Sequence, residues 1–422
     1  MARIGKELRK EALSILNSQE EHDHTSLLAL LMLGGSSSWH DTNDTGADFF
    51  NLARKRLDHM LSTGQLRKDS NNYHFFEEAL IYWELLLAYV DDDVVRASTV
   101  EETAETSVYF PSRHIPHPWT GVARDTQVVT VEVGRLIRRC RVLARSGQFT
   151  SVAHIEELQK SLSIARKLEA KLLTFVYPDE KDVVSPGDRV TPVWHLLTLA
   201  EVYRRTGLVQ LYRAFPDLLD EKLQEDEDLT TPLAENEWHF EDATATTRDN
   251  KTKRYEWLTT YTLETLRMLE TIPVESGTRD FQPFLLVALC SELRLPNSTP
   301  QQSFTTTTNS RESLSPSSPS SSTVSSESFL ARNINLIAPS EEPELSMRSI
   351  DIVRTRQFII DRLHSFVRVL PPKPMKVCIQ IVEESWARID DMQKLKPSVK
   401  ARQQDVYWMD VMMDNGWETC MA

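Results

Sequence analysis

Apolar residues recur along this chain in steps of three and four, the spacing of one face of an α-helix. Phe76, Leu80, Trp83, Leu87 and Val90 form one stripe. Val133, Ile137, Cys140 and Ala144 form a second, and Leu196, Ala200, Tyr203 and Gly207 a third. Leu258, Tyr261, Thr265, Met268 and Ile272 continue the pattern. Ile359, Leu363, Phe366 and Leu370 follow, then Cys378, Val382, Trp386 and Ile389. Strand-like alternation is best at residues 127–133 (QVVTVEV), which the helix behind it is expected to absorb. The pattern predicts an all-α fold: an irregular array of antiparallel helical pairs. Trp194, Leu197, Ala200, Tyr203 and Gly207 have the spacing of the first helix of a tetratricopeptide unit, so the array is TPR-like in places. No second copy stands at a fixed period. Residues 191–219 read as a helix, a turn, a second, short helix and a stop at Pro216, where Asp217 can cap the next turn.

Breakers divide the stripes. Gly34, Gly35 and Ser36 to Ser38 end the first apolar helix. Residues 115–119 (IPHPW) are expected to be extended, because a residue before proline is pushed out of the helical region. Residues 185–188 (SPGD) read as a turn, and residues 371–374 (PPKP) separate the last two stripes. The acidic run 220–228 is expected to be a solvated loop. Residues 297–328 are mostly Ser, Thr, Gln and Pro, too polar to offset chain entropy, and disorder is expected there. Within them, Ser315-Pro316 and Ser318-Pro319 are either proline-directed phosphorylation sites or plain linker. The expected organisation is a helical domain begun by residues 1–296, an insert at 297–345, and C-terminal helices at 346–422 that complete the same domain.

Charge narrows the functions open to the chain. Its 48 Lys and Arg against 62 Asp and Glu leave a net charge of −14. Such a chain lacks the broad positive field that phosphate binding needs, so no direct DNA binding by this chain alone is expected. The four cysteines (Cys140, Cys290, Cys378, Cys420) are far apart and without a C-x-x-C pair, whereas a two-zinc cluster needs six close thiolates. They read as reduced core cysteines. The N-terminal residues are charged throughout, unlike a signal peptide, and no apolar run approaches a membrane span.

Candidate chemistry is sparse. His114 and His117 have the spacing of half a metal site, but Pro116 and Pro118 deny them a shared helix face. Ser291 and Ser36 to Ser38 lie outside any nucleophile elbow. No phosphate loop, dinucleotide fingerprint or H-E-x-x-H zinc motif occurs. Glu383-Glu384 and Asp390-Asp391 read as solvated helix faces. Arg135, Arg138, Arg139 and Arg141 form a basic cluster, read as an anion or partner site or as arginines paired with local acids; Arg204 and Arg205 read the same way. Residues 405–422 (DVYWMDVMMDNGWETCMA) interleave acids with aromatics. They have the composition of an acidic activation segment, and equally of a final amphipathic helix packed on the core. Catalytic, cofactor and metal residues are therefore expected to be none, and the chain is expected not to be an enzyme; an all-helical enzyme would lack a recognisable site.

Residues 191–219 (TPVWHLLTLAEVYRRTGLVQLYRAFPDLL) and 263–294 (LETLRMLETIPVESGTRDFQPFLLVALCSELR) resemble the regulatory region of fungal zinc-cluster transcription factors. Residues 27–58, 75–89, the HPWTG loop at 117–121, and 352–390 carry the same likeness in the same order, nearest to regulators of the acriflavine-sensitivity-control type. The resemblance implies an all-helical regulatory module in the nucleus. Its implied partners are transcription machinery or related zinc-cluster factors, in a homo- or heterodimer, with a small inducer as a further ligand. Trp83, Tyr203, Phe215, Trp257 and Trp386 would line an inducer pocket, or simply pack in the core. The zinc cluster itself has no counterpart here, so zinc would belong only to a segment upstream of Met1. The alternative role is an interaction protein without DNA binding that heterodimerises with zinc-cluster factors and titrates them.

Overall fold

The computed structural model describes residues 2–18, 23–92, 114–145, 151–230, 243–296, 347–395 and 405–421. The fold is all-α, with no strand among the described residues. The insert 297–345, with its two Ser-Pro pairs, lies outside them.

The N-terminal helices are α1 (Ala2–Ser18), α2 (His24–Gly35), α3 (Ser37–His40), α4 (Ala47–Ser62) and α5 (Asn71–Leu87). Each start has a local cause where a cap is formed. Asp23 accepts from the Ser26 backbone N–H at 2.7 Å and Ser26 returns the contact, a capping box for α2. Ser70 accepts from the Tyr73 N–H at 3.2 Å to open α5. The middle helices are α6 (Arg124–Arg145), α7 (Val152–Thr174), α8 (Val193–Ala214), α9 (Pro216–Thr230), α10 (Ala243–Glu270) and α11 (Pro283–Cys290). The C-terminal ones are α12 (Met347–Val367), α13 (Pro372–Lys394) and α14 (Trp408–Asn415). Helices adjacent in sequence pack as pairs, and α8 is the hub, touching α6, α7, α9, α10 and α11. Helix α11 (PFLLVALC) is buried at every position. Helix α13 packs against α11 and also against α3, which brings the C-terminal helices onto the N-terminal ones.

Three local expectations need correction. Residues 191–219 contain no turn inside the first helical stretch: α8 runs unbroken through Gly207 to Ala214. Gly207 is there for a close approach, since a Cβ would meet Leu172 Cδ1 at 3.0 Å and Thr130 Oγ1 at 3.3 Å. Pro216 follows a long helix, not a short one, and opens α9 at a position where the missing N–H costs nothing. The acidic run is not a loop but the body of α9. Its Glu, Lys, Gln and Leu are good helix formers. Leu218 and Leu219 are buried, and Asp220 pairs with Arg254 at 2.6 Å. The QVVTVEV segment lies within α6 despite its strand-like alternation, absorbed by the helix behind it as expected. Ala144, at the end of the second stripe, is exposed in the last turn of α6.

Candidate functional site

A polar clamp in the interior surrounds residues 405–421, built by α6, α8, α10 and the residues that follow α11. Gln210, in the middle of α8, is fully buried. Its Oε1 accepts from the Tyr407 hydroxyl at 2.5 Å and the Trp408 indole N–H at 2.9 Å. Its Nε2 donates to the Ala288 carbonyl of α11 at 2.8 Å. One buried amide thereby fixes two aromatic side chains and satisfies a neighbouring backbone group. Two arginines converge on the preceding peptide: Arg213 and Arg294 each donate to the Val406 carbonyl at 2.9 Å. Asp405 faces Lys251 (3.5 Å), Arg213 (3.7 Å) and Arg294 (3.9 Å), and accepts from the Tyr255 hydroxyl. Burial opposes ionisation of Asp405, but these cations and the tyrosine outweigh it and hold its pKa below the usual carboxylate value. The Tyr255 ring lies under Arg294 at 4.6 Å and Arg213 at 5.7 Å. Glu292, fully buried, balances Arg213 at 3.3 Å.

The basic cluster of α6 serves the same clamp and its surroundings. Arg141 pairs with Asp410 at 3.4 Å and stacks on the Tyr407 ring at 5.0 Å. Arg145 bonds the Asp410 carbonyl at 2.9 Å and pairs with Asp414 at 2.8 Å. Arg138 meets Asp92 and the Tyr89 carbonyl, and Arg139 meets Glu157. Arg135 meets Glu84 at 2.5 Å, with Arg54 on the other side of that carboxylate at 3.5 Å. Arg204 and Arg205 share Glu201. All of these arginines thus pair with local acids, the reading that needs no external anion. Residues 405–421 likewise follow the second of their two readings. Tyr407, Trp408, Met409, Val411 and Met412 are buried, and Trp408 sits edge-on to Phe284.

His117 does not share a site with His114. His114 uses its backbone to bridge Asp182 and Val184, at 2.9 and 2.7 Å. The His117 Nδ1 accepts from the N–H groups of Trp119 (3.0 Å) and Thr120 (3.2 Å), so its Nε2 carries the proton and donates to the Phe75 carbonyl at 3.0 Å. Burial pushes its pKa down to about 4, against the pull of the Phe75 carbonyl. Glu78, on the same side of α5, accepts from the Thr120 hydroxyl; burial, opposed by that bond, pushes its pKa up to about 7. Cys290, Cys378 and Cys420 are free and buried, their pKa values pushed up to about 12 by burial, which makes them poor nucleophiles. Glu383-Glu384 and Asp390-Asp391 stand on α13, where Glu384 pairs with Arg388 and Asp390 with Arg356. Ser291 donates to Glu292, and Ser36 to Ser38 form the junction of α2 and α3.

The five aromatics proposed as a pocket lining are dispersed through the packing. Trp386 donates to the Cys290 carbonyl, Tyr203 to the Phe281 carbonyl, and Trp257 stacks on Tyr261. Trp83 meets Phe50 edge-on, and Phe215 caps α8. Among the described residues a groove of about 580 Å³ lies elsewhere, between the end of α10 and α12, lined by Glu270, Val274, Arg354, Phe358, Asp361 and Arg362 among others.

The loop around His117 carries a testable pH dependence. The Glu78 carboxyl has its folded pKa raised from 4.5 to about 7, so it stabilises least above that value, and the cost appears as pH rises through the window. His117 has its folded pKa lowered from 6.5 to about 4, so its contribution is lost as pH falls through that window. The two oppose each other on acidification. Glu78→Gln keeps the acceptor for Thr120 and removes the buried charge. It is expected to raise stability at pH 8 by about 2 kcal/mol, and to steepen the loss between pH 6.5 and 4 toward about 3 kcal/mol. Urea melts from pH 4 to 8 check this; a Gln variant with the parent profile would show that Glu78 is not buried as a charge.

Taken together, the described residues make a helical body whose interior charges hold the fold, and they contain no group of His, Cys, Asp and Glu able to hold a metal ion. None of their helices is long and apolar enough to cross a membrane. A family model for the fungal specific transcription factor domain matches residues 3–233 and 347–422, and the chain belongs to that family. The protein is a transcription regulator. No curated protein and no solved structure matches the chain.

Proposed function

We propose that this chain regulates transcription in the nucleus through protein partners, as a module without catalysis and without DNA binding of its own. The observation that carries the reading is the family match on both sides of residues 234–346. It is supported by the net charge of −14 and by the pairing of the α6 arginines with local acids, which leaves that cluster little to offer a phosphate backbone. The partners are transcription machinery or related zinc-cluster factors. The test joins the full chain to an unrelated DNA-binding domain over a reporter in a fungal cell, with protein level and nuclear position followed by fluorescence. A severalfold change in transcription, of either sign, is expected; a fusion that is nuclear and abundant yet matches the bare DNA-binding domain would sink the reading. A chain that changes transcription only untethered, by sequestering a zinc-cluster factor, would favour the titrating role.

We also propose that residues 1–296 and 346–422 fold as one unit around the insert. The packing of α12 on α10 and of α13 on α3 and α11 supports this. Replacing residues 297–345 with a flexible linker of about 12 residues is expected to preserve a single cooperative thermal transition, because loop length costs little. Two separated transitions would divide the chain into two domains.

A further inference from the structure

Helix α12 has one outward stripe, at Met347, Ile350, Arg354, Gln357 and Asp361, but the stripe changes character along its length. Its second half is polar. Its first half is apolar: Met347 is 76% exposed, Ile350 46% and the adjoining Val353 52%. Around this apolar half the helix is well anchored. Arg348 bonds the Glu256 carbonyl at 2.7 Å, Arg267 pairs with Asp351 at 2.8 Å, and Ile352 is fully buried. The strip is therefore a fixed surface, and the open groove of α10 and α12 continues it toward Phe358. Three large apolar side chains side by side on a rigid helix form a surface that gains free energy when it is covered.

The sequence supplies an occupant of the right chemistry at the right distance. Residues 297–328 are almost without apolar side chains, but residues 329–337 (FLARNINLI) break that composition. Leu330, Ile334 and Ile337 stand at i, i+4 and i+7, a single helical face, with Phe329 and Leu336 beside it. The linker from Ile337 to Met347 is residues 338–346 (APSEEPELS), whose Pro339 and Pro343 favour a reversal of the chain. At ~3.3 Å per residue it reaches roughly 30 Å, whereas the apolar half of α12 extends only about 9 Å from its start. Closing so short a tether costs little, and it gives the segment an effective concentration of order millimolar at the strip. Charge agrees: the linker carries Glu341, Glu342 and Glu344, and the first half of α12 carries Arg348 and Arg354.

We propose that residues 329–337 dock along the apolar half of α12, on Met347, Ile350 and Val353, as an intramolecular partner that occupies this surface. The test uses the full chain with a photo-crosslinking amino acid at Val353, and the same residue at the exposed Val176 as a control. The expected product is a cross-link into residues 329–337 that runs at monomer size and is independent of concentration. Combining Leu330→Ser, Ile334→Ser and Ile337→Ser is expected to lower its yield about tenfold or more, as the loss of three apolar contacts implies, while the far-ultraviolet spectrum is unchanged. A cross-link between chains would assign the strip to a second copy. A cross-link to another segment, or none above the Val176 control, would leave the strip to a different occupant or to solvent. Each of those three results overturns the proposal.

Discussion

Truncation after residue 404 is expected to abolish cooperative unfolding and to send the chain into aggregates. Val406, Tyr407, Trp408, Met409, Val411, Met412, Cys420 and Met421 are all buried. At about 1.5–3 kcal/mol for each large side chain, their combined burial matches or exceeds the 5–15 kcal/mol by which a folded chain is stable. The loss is compounded by what stays behind: Arg213, Arg294 and Gln210 would lose the Val406 carbonyl, Asp405, Tyr407 and Trp408 in a pocket opened to water. Graded variants resolve the terms. Trp408→Ala is expected to cost about 3–5 kcal/mol through cavity formation. Tyr407→Phe removes only the hydroxyl to Gln210 and should cost about 1–2 kcal/mol. Urea melts of the point variants and a thermal melt of the truncation check the series. A truncated chain with the parent melting temperature and a weaker reporter would reverse the assignment, and make residues 405–422 a detachable activation segment.

The helices were legible because each stripe needs only a local pattern. Phe76, Leu80, Trp83 and Leu87 are buried as their spacing requires, and so are Cys378, Val382, Trp386 and Ile389. Continuity was harder to read. The turn expected within residues 191–219 is absent and Gly207 lies inside α8, because the benefit of bringing α6 and α7 close exceeds the ~1 kcal/mol cost of glycine in a helix. The acidic run 220–228 looks like solvated coil, yet Asp220 and Glu221 are held by Arg254 and Arg166, partners distant in sequence. The clamp was the least legible part. Gln210 sits among apolar residues of α8 with no signal that its amide must meet Tyr407 and Trp408. Periodicity reports which side of a helix is inward; it carries no information about which inward polar group meets which. The arginines of α6 could be expected to find acids, but Asp410 and Glu84 could not be named from the sequence.

Glu84→Ala is expected to cost about 3–5 kcal/mol, the second largest effect of a small change in this chain. Glu84 lies on α5 between Arg54 of α4 and Arg135 of α6, at 3.5 and 2.5 Å. Its side chain is 2% exposed and that of Arg54 1%. Removing the carboxylate leaves the Arg54 guanidinium in the interior without its ion-pair partner, with the longer-range attraction of Asp58 remaining, and much of the desolvation cost of that cation is then uncompensated in the folded state. Glu84→Gln keeps the shape but not the charge, and should recover part of the loss. The decisive comparison replaces all three residues at once. Arg54→Met with Glu84→Leu and Arg135→Met removes the charges together with the need to pair them, and is expected to be at least about 2 kcal/mol more stable than Glu84→Ala. If the triple variant were instead as unstable as the single one, the contribution of Glu84 would lie in packing rather than in charge neutralisation. If Glu84→Ala cost under about 1 kcal/mol in urea, water would have to reach Arg54 in the folded chain, and the contact between α4, α5 and α6 would be looser than the burial of these side chains implies.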